Sequence, residues 1–108
     1  MLSATRANTM KNLKNDVELL IKNLKDSAED RCLETDARNS GCIVIDEDKV
    51  YSDTEYIHVE IEVSFQYKWL RDGAGALYID KVYLTMFIKE VVLITENNEY
   101  ELTKLFTI

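Results

Sequence analysis

The segment "IHVEIEVSFQYKW", residues 57–69, alternates apolar and polar side chains along its whole length. In a β-strand, successive side chains point to opposite faces of the sheet, so one set lies against a core and the other faces away. The core set is Ile57, Val59, Ile61, Val63, Phe65, Tyr67 and Trp69. The opposite set is His58, Glu60, Glu62, Ser64, Gln66 and Lys68. The pattern predicts a central strand over about residues 56–69, whose polar side meets water, a metal, a substrate or another protein.

The N-terminal segment predicts one long amphipathic helix, over about residues 3–32. Its apolar residues follow the three- and four-residue spacing of a helical stripe: Met10, Leu13, Val17, Leu20 and Leu24. The same spacing is compatible with a coiled coil, but a coiled coil needs three or four clean heptads and this stripe has two. A helix packed across a sheet is therefore the preferred interpretation.

Further strands are predicted at about 42–46, 77–88, 91–95 and 100–106. The acidic segment 46–55 is expected to be a loop, and "RDGAGA" (71–76) is expected to form a turn. One strand over all of 77–95 would be unusually long. The charged pair at 89–90 therefore predicts a bulge or bend, so residues 77–95 form either one bulged strand or two strands.

The two central strands can be checked against each other by centring their turn on Gly73 and Ala74. Phe65 then pairs with Val82, and both apolar patterns fall on one face of the sheet. A register shifted by two residues would keep these faces but change the partners. The opposite face gains five residues from the third strand: Lys81, Tyr83, Thr85, Phe87 and Lys89.

These elements predict an α+β fold: one N-terminal amphipathic helix packed on an antiparallel meander sheet of four or five strands. The chain, residues 1–108, is expected to form a single domain. The order of elements resembles the cystatin-like arrangement and the curved-sheet cones that hold small ligands. This resemblance concerns element order alone, and fold analogy carries little information about function.

The charge of the chain is strongly asymmetric, with a formal net value of −7. Residues 1–40 carry seven basic and seven acidic side chains, whereas residues 41–108 carry six basic and thirteen acidic ones. Such a surface repels phosphate backbones, so we expect no nucleic-acid partner and instead a protein partner with a basic surface. DNA mimicry and simple solubility are alternative explanations of the acidity.

The sequence also predicts a cytoplasmic protein. It contains no signal-peptide pattern and no apolar stretch long enough to span a membrane. Its two cysteines, Cys32 and Cys42, match no zinc or redox motif and are expected to be reduced.

Metal and catalytic sites are disfavoured. His58, Glu60 and Glu62 share one strand face, but three ligands from a single strand rarely surround a metal, and a further ligand would have to come from a neighbouring strand. The acidic segment 46–55 departs from the EF-hand pattern, and no nucleophile elbow or phosphate-binding loop is present. We therefore expect no metal, no cofactor and no enzymatic activity.

The leading functional prediction is a small acidic protein-binding module, such as an inhibitor, adaptor or chaperone-like subunit. Its composition would suit a phage or a mobile element. We expect homo-oligomers, with a dimer favoured, formed through the second face of the sheet, because aromatic residues among charges are typical of interfaces. The predicted contact residues are His58, Glu60, Glu62, Tyr83, Thr85 and Phe87.

Two alternatives remain open. The first is a cone-type small-ligand-binding protein or minor enzyme with a cavity between helix and sheet, in which Tyr67 and Trp69 form the rim. The second is a structural subunit of a larger particle. The direction in which the aromatic side chains point separates an interface from a ligand cavity.

Overall fold

The computed structural model describes the backbone of residues 2–108 and the side chains of residues 12–108. One helix precedes a four-stranded antiparallel sheet in the order β1-β2-β3-β4, which confirms the predicted α+β meander. The elements are α1 (Leu2–Leu33), β1 (Ser40–Ser52), β2 (Glu55–Arg71), β3 (Leu77–Ile94), β4 (Glu99–Glu101) and the short 3₁₀ helix η1 (Thr103–Leu105). None of the helices that the structure describes has the length and apolar character needed to cross a membrane.

The core lies between α1 and one face of the sheet, and it uses the apolar stripes that the sequence predicts. The side chains of Val17, Leu24 and Ala28 are buried against the sheet, and the side chain of Met10 lies outside the described ones. The odd-numbered residues of β2 are buried from Ile57 to Tyr67, in agreement with the predicted alternation. The layer in which the alternative interpretation places a ligand cavity is thus occupied by buried apolar side chains.

Polar contacts fix α1 to β1 at the edge of this core. The carboxylate of Asp16 accepts hydrogen bonds from Lys49 Nζ at 2.9 Å and from Tyr51 Oη at 2.5 Å. These two bonds lower the pKa of Asp16, with the Tyr51 bond as the larger cause and the Lys49 bond second. The anionic form of Asp16 therefore stabilises the contact between helix and sheet.

β1 is longer than the sequence predicts, because most of the acidic segment 46–55 belongs to it rather than to a loop. Residues 46–50 continue the backbone ladder with β2, from Asp46 opposite Glu60 to Val50 opposite Tyr56. The prediction was wrong here because a charged segment has no apolar alternation. Its strand conformation depends on the neighbouring backbone and on contacts such as the one between Lys49 and Asp16.

The register of β2 and β3 differs by two residues from the predicted one, while the faces agree. Phe65 pairs with Leu84 instead of Val82, and Val63 pairs with Met86. The connecting loop is centred on Ala74, since Arg71 pairs with Leu77, and a register shift next to Lys68 adds one more residue. Because both changes together amount to two residues, residues 81–88 keep their predicted faces, whereas Ile79, on the tip side of the register shift, lies on the core face opposite Trp69.

The bulge predicted at 89–90 is present. Glu60 pairs with Glu90 and Ile61 pairs with Ile88, so Lys89 is the additional residue on β3. The bulge returns Val91 to the core side, where it is fully buried opposite Val59. Residues 77–94 therefore form one bulged strand, which decides between the two possibilities that the sequence leaves open, one bulged strand or separate strands at 77–88 and 91–95.

The C-terminal strand is shorter than predicted. β4 covers three residues instead of 100–106 and pairs Leu93 with Tyr100. The ladder ends because Thr103 Oγ1 accepts the hydrogen bond of the Val91 amide at 2.9 Å, in place of a strand carbonyl. The chain then turns through η1, and Phe106 packs against the core.

The β2–β3 hairpin projects beyond β1, whose pairing with β2 ends at Gln66. The radius of gyration of 18.4 Å accordingly exceeds the value of about 13 Å expected for a compact domain of this length. Large apolar side chains near the tip remain exposed, including Leu70, Leu77 and Tyr78. A molecule of this shape presents a large sheet surface for its size.

Candidate functional site: the outer face of the sheet

The face of the sheet opposite α1, here called the outer face, carries all six predicted contact residues. β2 contributes its even-numbered residues 58–70, and the cross-strand pairs define which residues of β1 and β3 lie beside them. Tyr83 and Phe87 are 52% and 49% exposed, and Val44 of β1 is 45% exposed. An aromatic and aliphatic patch of this kind among polar residues is typical of a contact surface.

The outer face is ordered in rows that run across the strands. The central row contains the small residues Cys42, Ser64 and Thr85. On one side of it lies the row Val44, Glu62 and Phe87, and on the other lies the row Ser40, Gln66 and Tyr83. Beyond these are an acidic row, Asp46, Glu60 and Glu90, and a basic row, Lys68 and Lys81.

The acidic row places like charges directly opposite one another. Asp46 pairs with Glu60, and Glu60 pairs with Glu90, while Lys89 occupies the bulge at this end. Like charges directly opposite one another on a sheet are destabilising. The end of the outer face that carries this row, here called the acidic end, therefore offers a site at which an external cation would relieve the repulsion between the carboxylates.

The basic row, at what is here called the basic end, also places like charges directly opposite each other, and here the charges are positive. Lys68 lies directly opposite Lys81, and both side chains are exposed. The register shift next to this pair makes Asp80 the additional residue on β3. Two lysines at directly opposite positions repel each other and favour an anionic neighbour from outside the sheet.

His58 lies at the acidic end, between two carboxylates. Its Nε2 is 2.9 Å from Glu60 Oε1, and its Nδ1 contacts the Asp48 carboxylate of β1. Partial burial disfavours the charged imidazolium, but the hydrogen bonds with Glu60 and Asp48 outweigh this effect and raise the pKa of His58 above its ordinary value of 6.5. In the imidazolium form both ring nitrogens donate, and His58 is then an internal counter-ion of the acidic row.

The same cluster contains the donors that could hold a metal ion. One ligand atom each from Asp46, His58 and Glu60 lie within 4.8 Å of one another. Asp46 is the additional ligand from a neighbouring strand that a metal site on this face requires, and Glu62, the expected third donor, does not belong to the group. A metal at His58 Nε2 would have to replace the hydrogen bond between this nitrogen and Glu60 Oε1.

Glu62 instead contacts the central row. The thiol of Cys42 donates to Glu62 Oε1 at 3.1 Å, and this bond raises the pKa of Cys42. Ser64 Oγ lies 3.8 Å from the same sulfur. The exposed Cys42 is therefore held as a neutral thiol, whereas Cys32 is buried in the core, and both cysteines are free.

A shallow depression lies along the central row. The residues that line it include Ser40, Cys42, Ser64, Gln66, Tyr83 and Thr85. The depression lies beside the protruding ring of Phe87. The outer face thus carries a hollow that includes the central row and an exposed aromatic ring in the row next to it.

Tyr67 and Trp69, the predicted pocket rim, hold the last turn of α1 and the loop that follows it against the sheet. Tyr67 Oη donates to the Cys32 carbonyl at 2.5 Å, and Trp69 Nε1 donates to the Arg38 carbonyl at 2.6 Å. Their rings meet edge to face with centroids 6.4 Å apart. Both side chains therefore close the end of the core at which α1 stops.

The contribution of β1 to the outer face was missed in the prediction from sequence. Cys42, Val44, Asp46 and Asp48 lie on it, and the last two contact or adjoin His58 and Glu60. A signal was present, because the core-facing Ile43 and Ile45 place the even-numbered residues of β1 on the other side. Extending that parity through the acidic segment would have found both aspartates.

No family model, no curated protein and no solved structure matches this chain significantly.

Proposed function

We propose that this protein is a non-enzymatic protein-binding module, of the inhibitor or adaptor kind, and that it binds through the outer face of its sheet. The observation that carries the proposal is the exposed patch of Tyr83, Phe87 and Val44 between an acidic end and a basic end. Aromatic anchors surrounded by charged residues are the usual composition of protein interfaces.

The exposed aromatics argue for a protein partner rather than a small ligand. Tyr83 and Phe87 point away from α1, and the space under α1 is filled by buried side chains such as Val17 and Leu24. A basic partner surface would neutralise the acidic row, which has no charge of opposite sign directly across the strands. Lys68 and Lys81 offer such a surface on a second copy of the same chain, which makes self-association the first form of binding to test.

The test is the mass of the purified protein in solution, measured by light scattering, for the wild type and for Tyr83→Glu/Phe87→Glu. The matched control is Tyr100→Glu/Leu105→Glu, which places the same charges at two exposed apolar positions outside the outer face. We expect an oligomeric wild type, an oligomeric control and a folded, monomeric Tyr83→Glu/Phe87→Glu variant. A monomeric wild type, or equal dissociation of both double variants, would contradict the proposal.

A further inference from the structure

Two copies of a sheet can pack face to face about a two-fold axis that lies between them and runs across the strands. Such an axis places each strand antiparallel to its own copy, so residues equally far from the axis, on opposite sides, face each other. The contact is self-complementary only if the features of one half of the face match those of the other half. On the outer face, the charged rows and the aromatic residues are each arranged symmetrically about one midpoint.

The charged rows define one midpoint. The basic row at Lys68 and the acidic row at Glu60 lie four residues from Ser64 in opposite directions along β2. With an axis at Ser64, each pair of lysines would face the carboxylates of Asp46, Glu60 and Glu90 on the second copy. The like-charge repulsion within both rows would be relieved at the same time.

The aromatic residues define the same midpoint independently. Tyr83 and Phe87 lie two residues from Thr85 in opposite directions along β3, and Thr85 pairs with Ser64. The axis at Ser64 would therefore bring Phe87 of one copy over Tyr83 of the other, twice. Aromatic pairs of this kind stabilise an interface beyond the area that they bury.

The central row has the shape that this contact requires. Its residues, Cys42, Ser64 and Thr85, are small and line the shallow depression, which extends to Tyr83. Each protruding Phe87 would enter the depression of the other copy beside Tyr83. Packed sheets are about 10 Å apart, and small side chains at the centre of the contact allow the two sheets to come this close.

We propose that two copies of this chain form a symmetric dimer by packing their outer faces about a two-fold axis that runs along the row Cys42, Ser64 and Thr85. This proposal rests on the proposed function, because it identifies the second copy as the partner and fixes the arrangement of the contact. In this dimer each Cys42 faces its own counterpart, and each acidic end contacts a basic end.

The open edge of β3 offers a competing contact. β4 pairs only with residues 92–94, so residues 77–90 have no neighbouring strand on that side among the described residues. The register shifts at Asp80 and Lys89 interrupt this edge, and bulges and lysines commonly prevent pairing between edges. Pairing of β3 with its own copy would separate the two Cys42 residues by about five strand spacings, roughly 24 Å.

Cross-linking at Cys42 distinguishes the two arrangements. Across the proposed axis the Cα atoms of the two Cys42 residues are about one sheet spacing, roughly 10 Å, apart, which is too far for a disulfide, whereas both side chains point into the gap and lie within reach of a short flexible bismaleimide. We expect the wild type to form a covalent dimer with this reagent and Cys42→Ser to form none, since Cys32 is buried. Thr85→Cys in the Cys42→Ser background should restore the dimer, because it also lies on the axis.

The matched off-axis control is Val50→Cys in the Cys42→Ser background. Val50 is an exposed residue of the same strand, β1, eight residues from Cys42 and about 26 Å from the axis. This control should give no covalent dimer. An oligomeric wild type that does not cross-link through Cys42, together with a Val50→Cys control that does cross-link, would overturn the proposed arrangement and leave the proposed function standing.

A charge exchange tests the pairing of the ends. The variant Lys68→Glu/Lys81→Glu has two acidic ends, and the variant Glu60→Lys/Glu90→Lys has two basic ends. Because like ends would then face each other, each variant alone should dimerise at least about tenfold more weakly than the wild type. An equimolar mixture should recover a heterodimer with affinity near that of the wild type. A mixture as dissociated as its components would overturn the axis, whereas a monomeric wild type would contradict both this arrangement and the self-association from which it follows.

Discussion

Gly41 lies directly beneath the ring of Phe65 on the core side of the sheet. The two residues are cross-strand partners, and a Cβ atom added to Gly41 would come within 2.7 Å of Phe65 Cζ. The ring of Phe65 is 4% exposed and packs against Tyr67 with centroids 5.2 Å apart. Glycine at this position therefore allows the aromatic ring to cover β1 at the end of the core.

Gly41→Ala is expected to destabilise the protein by about 1 kcal/mol. Overpacking of a filled core costs about 1–3 kcal/mol and outweighs the gain of about 0.5–1 kcal/mol from replacing a strand glycine. The free energy of unfolding in urea measures the change. Gly73→Ala is the control, since a Cβ there meets nothing within 4 Å, and equal stability of the two variants would show that the ring moves freely.

Tyr67→Phe is expected to lower the free energy of unfolding by about 1 kcal/mol, because it removes a buried hydrogen bond. The Cys32 carbonyl keeps its other donors, the backbone amide and the hydroxyl of Thr35, so the loss stays moderate. Urea denaturation again provides the measurement. Tyr100→Phe, at an exposed tyrosine, should change stability little, and a loss as large as that of Tyr67→Phe would argue against a role for the Tyr67 hydroxyl.

Asp16→Asn is expected to cost about 1–2 kcal/mol, since it weakens the charge-assisted bonds to Lys49 and Tyr51. The folded pKa of Asp16 is lowered, so its contribution is present above the unfolded pKa of about 3.9 and is lost as the pH falls through the folded value. The stability difference between wild type and variant should therefore shrink on acidification. Asp26→Asn on the exposed side of α1 is the control, and a pH-independent difference for Asp16→Asn would refute the ion-pair explanation.

The stability contributed by His58 should decrease as the pH rises. Its folded pKa is raised, so the contribution is complete below the unfolded pKa of about 6.5 and is lost as the pH rises through the folded value. The measurement is the difference in free energy of unfolding between His58→Gln and its parent at several pH values. The Tyr83→Glu/Phe87→Glu background removes the proposed self-association from both. An NMR titration that gives His58 a pKa at or below 6.5 would contradict this prediction.

The parts of the fold that depend on apolar periodicity were predictable from the sequence. β2 alternates over 57–69, so its core face and its outer face followed from the residues alone, and Tyr83 and Phe87 of β3 were assigned to the correct side. The bulge at Lys89 was also predictable, because without it Val91 would have left the core.

The parts that depend on backbone pairing and charge were not predictable in the same way. The second half of β1 has no apolar pattern, and its strand is visible only once the ladder to β2 is known, so Asp48 was assigned to a loop and Asp46 to the last position of the predicted strand 42–46. The register was wrong by two residues because a shift of two leaves every face unchanged and the sequence offers no penalty against it. The acidic cluster around His58 was missed because it depends both on the backbone pairing of β1 with β2 and on charged residues that follow no apolar pattern.

The burial of Cys32 makes its thiol a reporter of internal motion. The side chain has no exposed surface, and burial raises the pKa of the thiol, so a maleimide can react only when the C-terminal end of α1 opens away from Tyr67. In a Cys42→Ser background the labelling rate therefore measures the opening equilibrium of that end of the helix. Comparison with global unfolding would show whether α1 detaches on its own or only when the whole sheet unfolds.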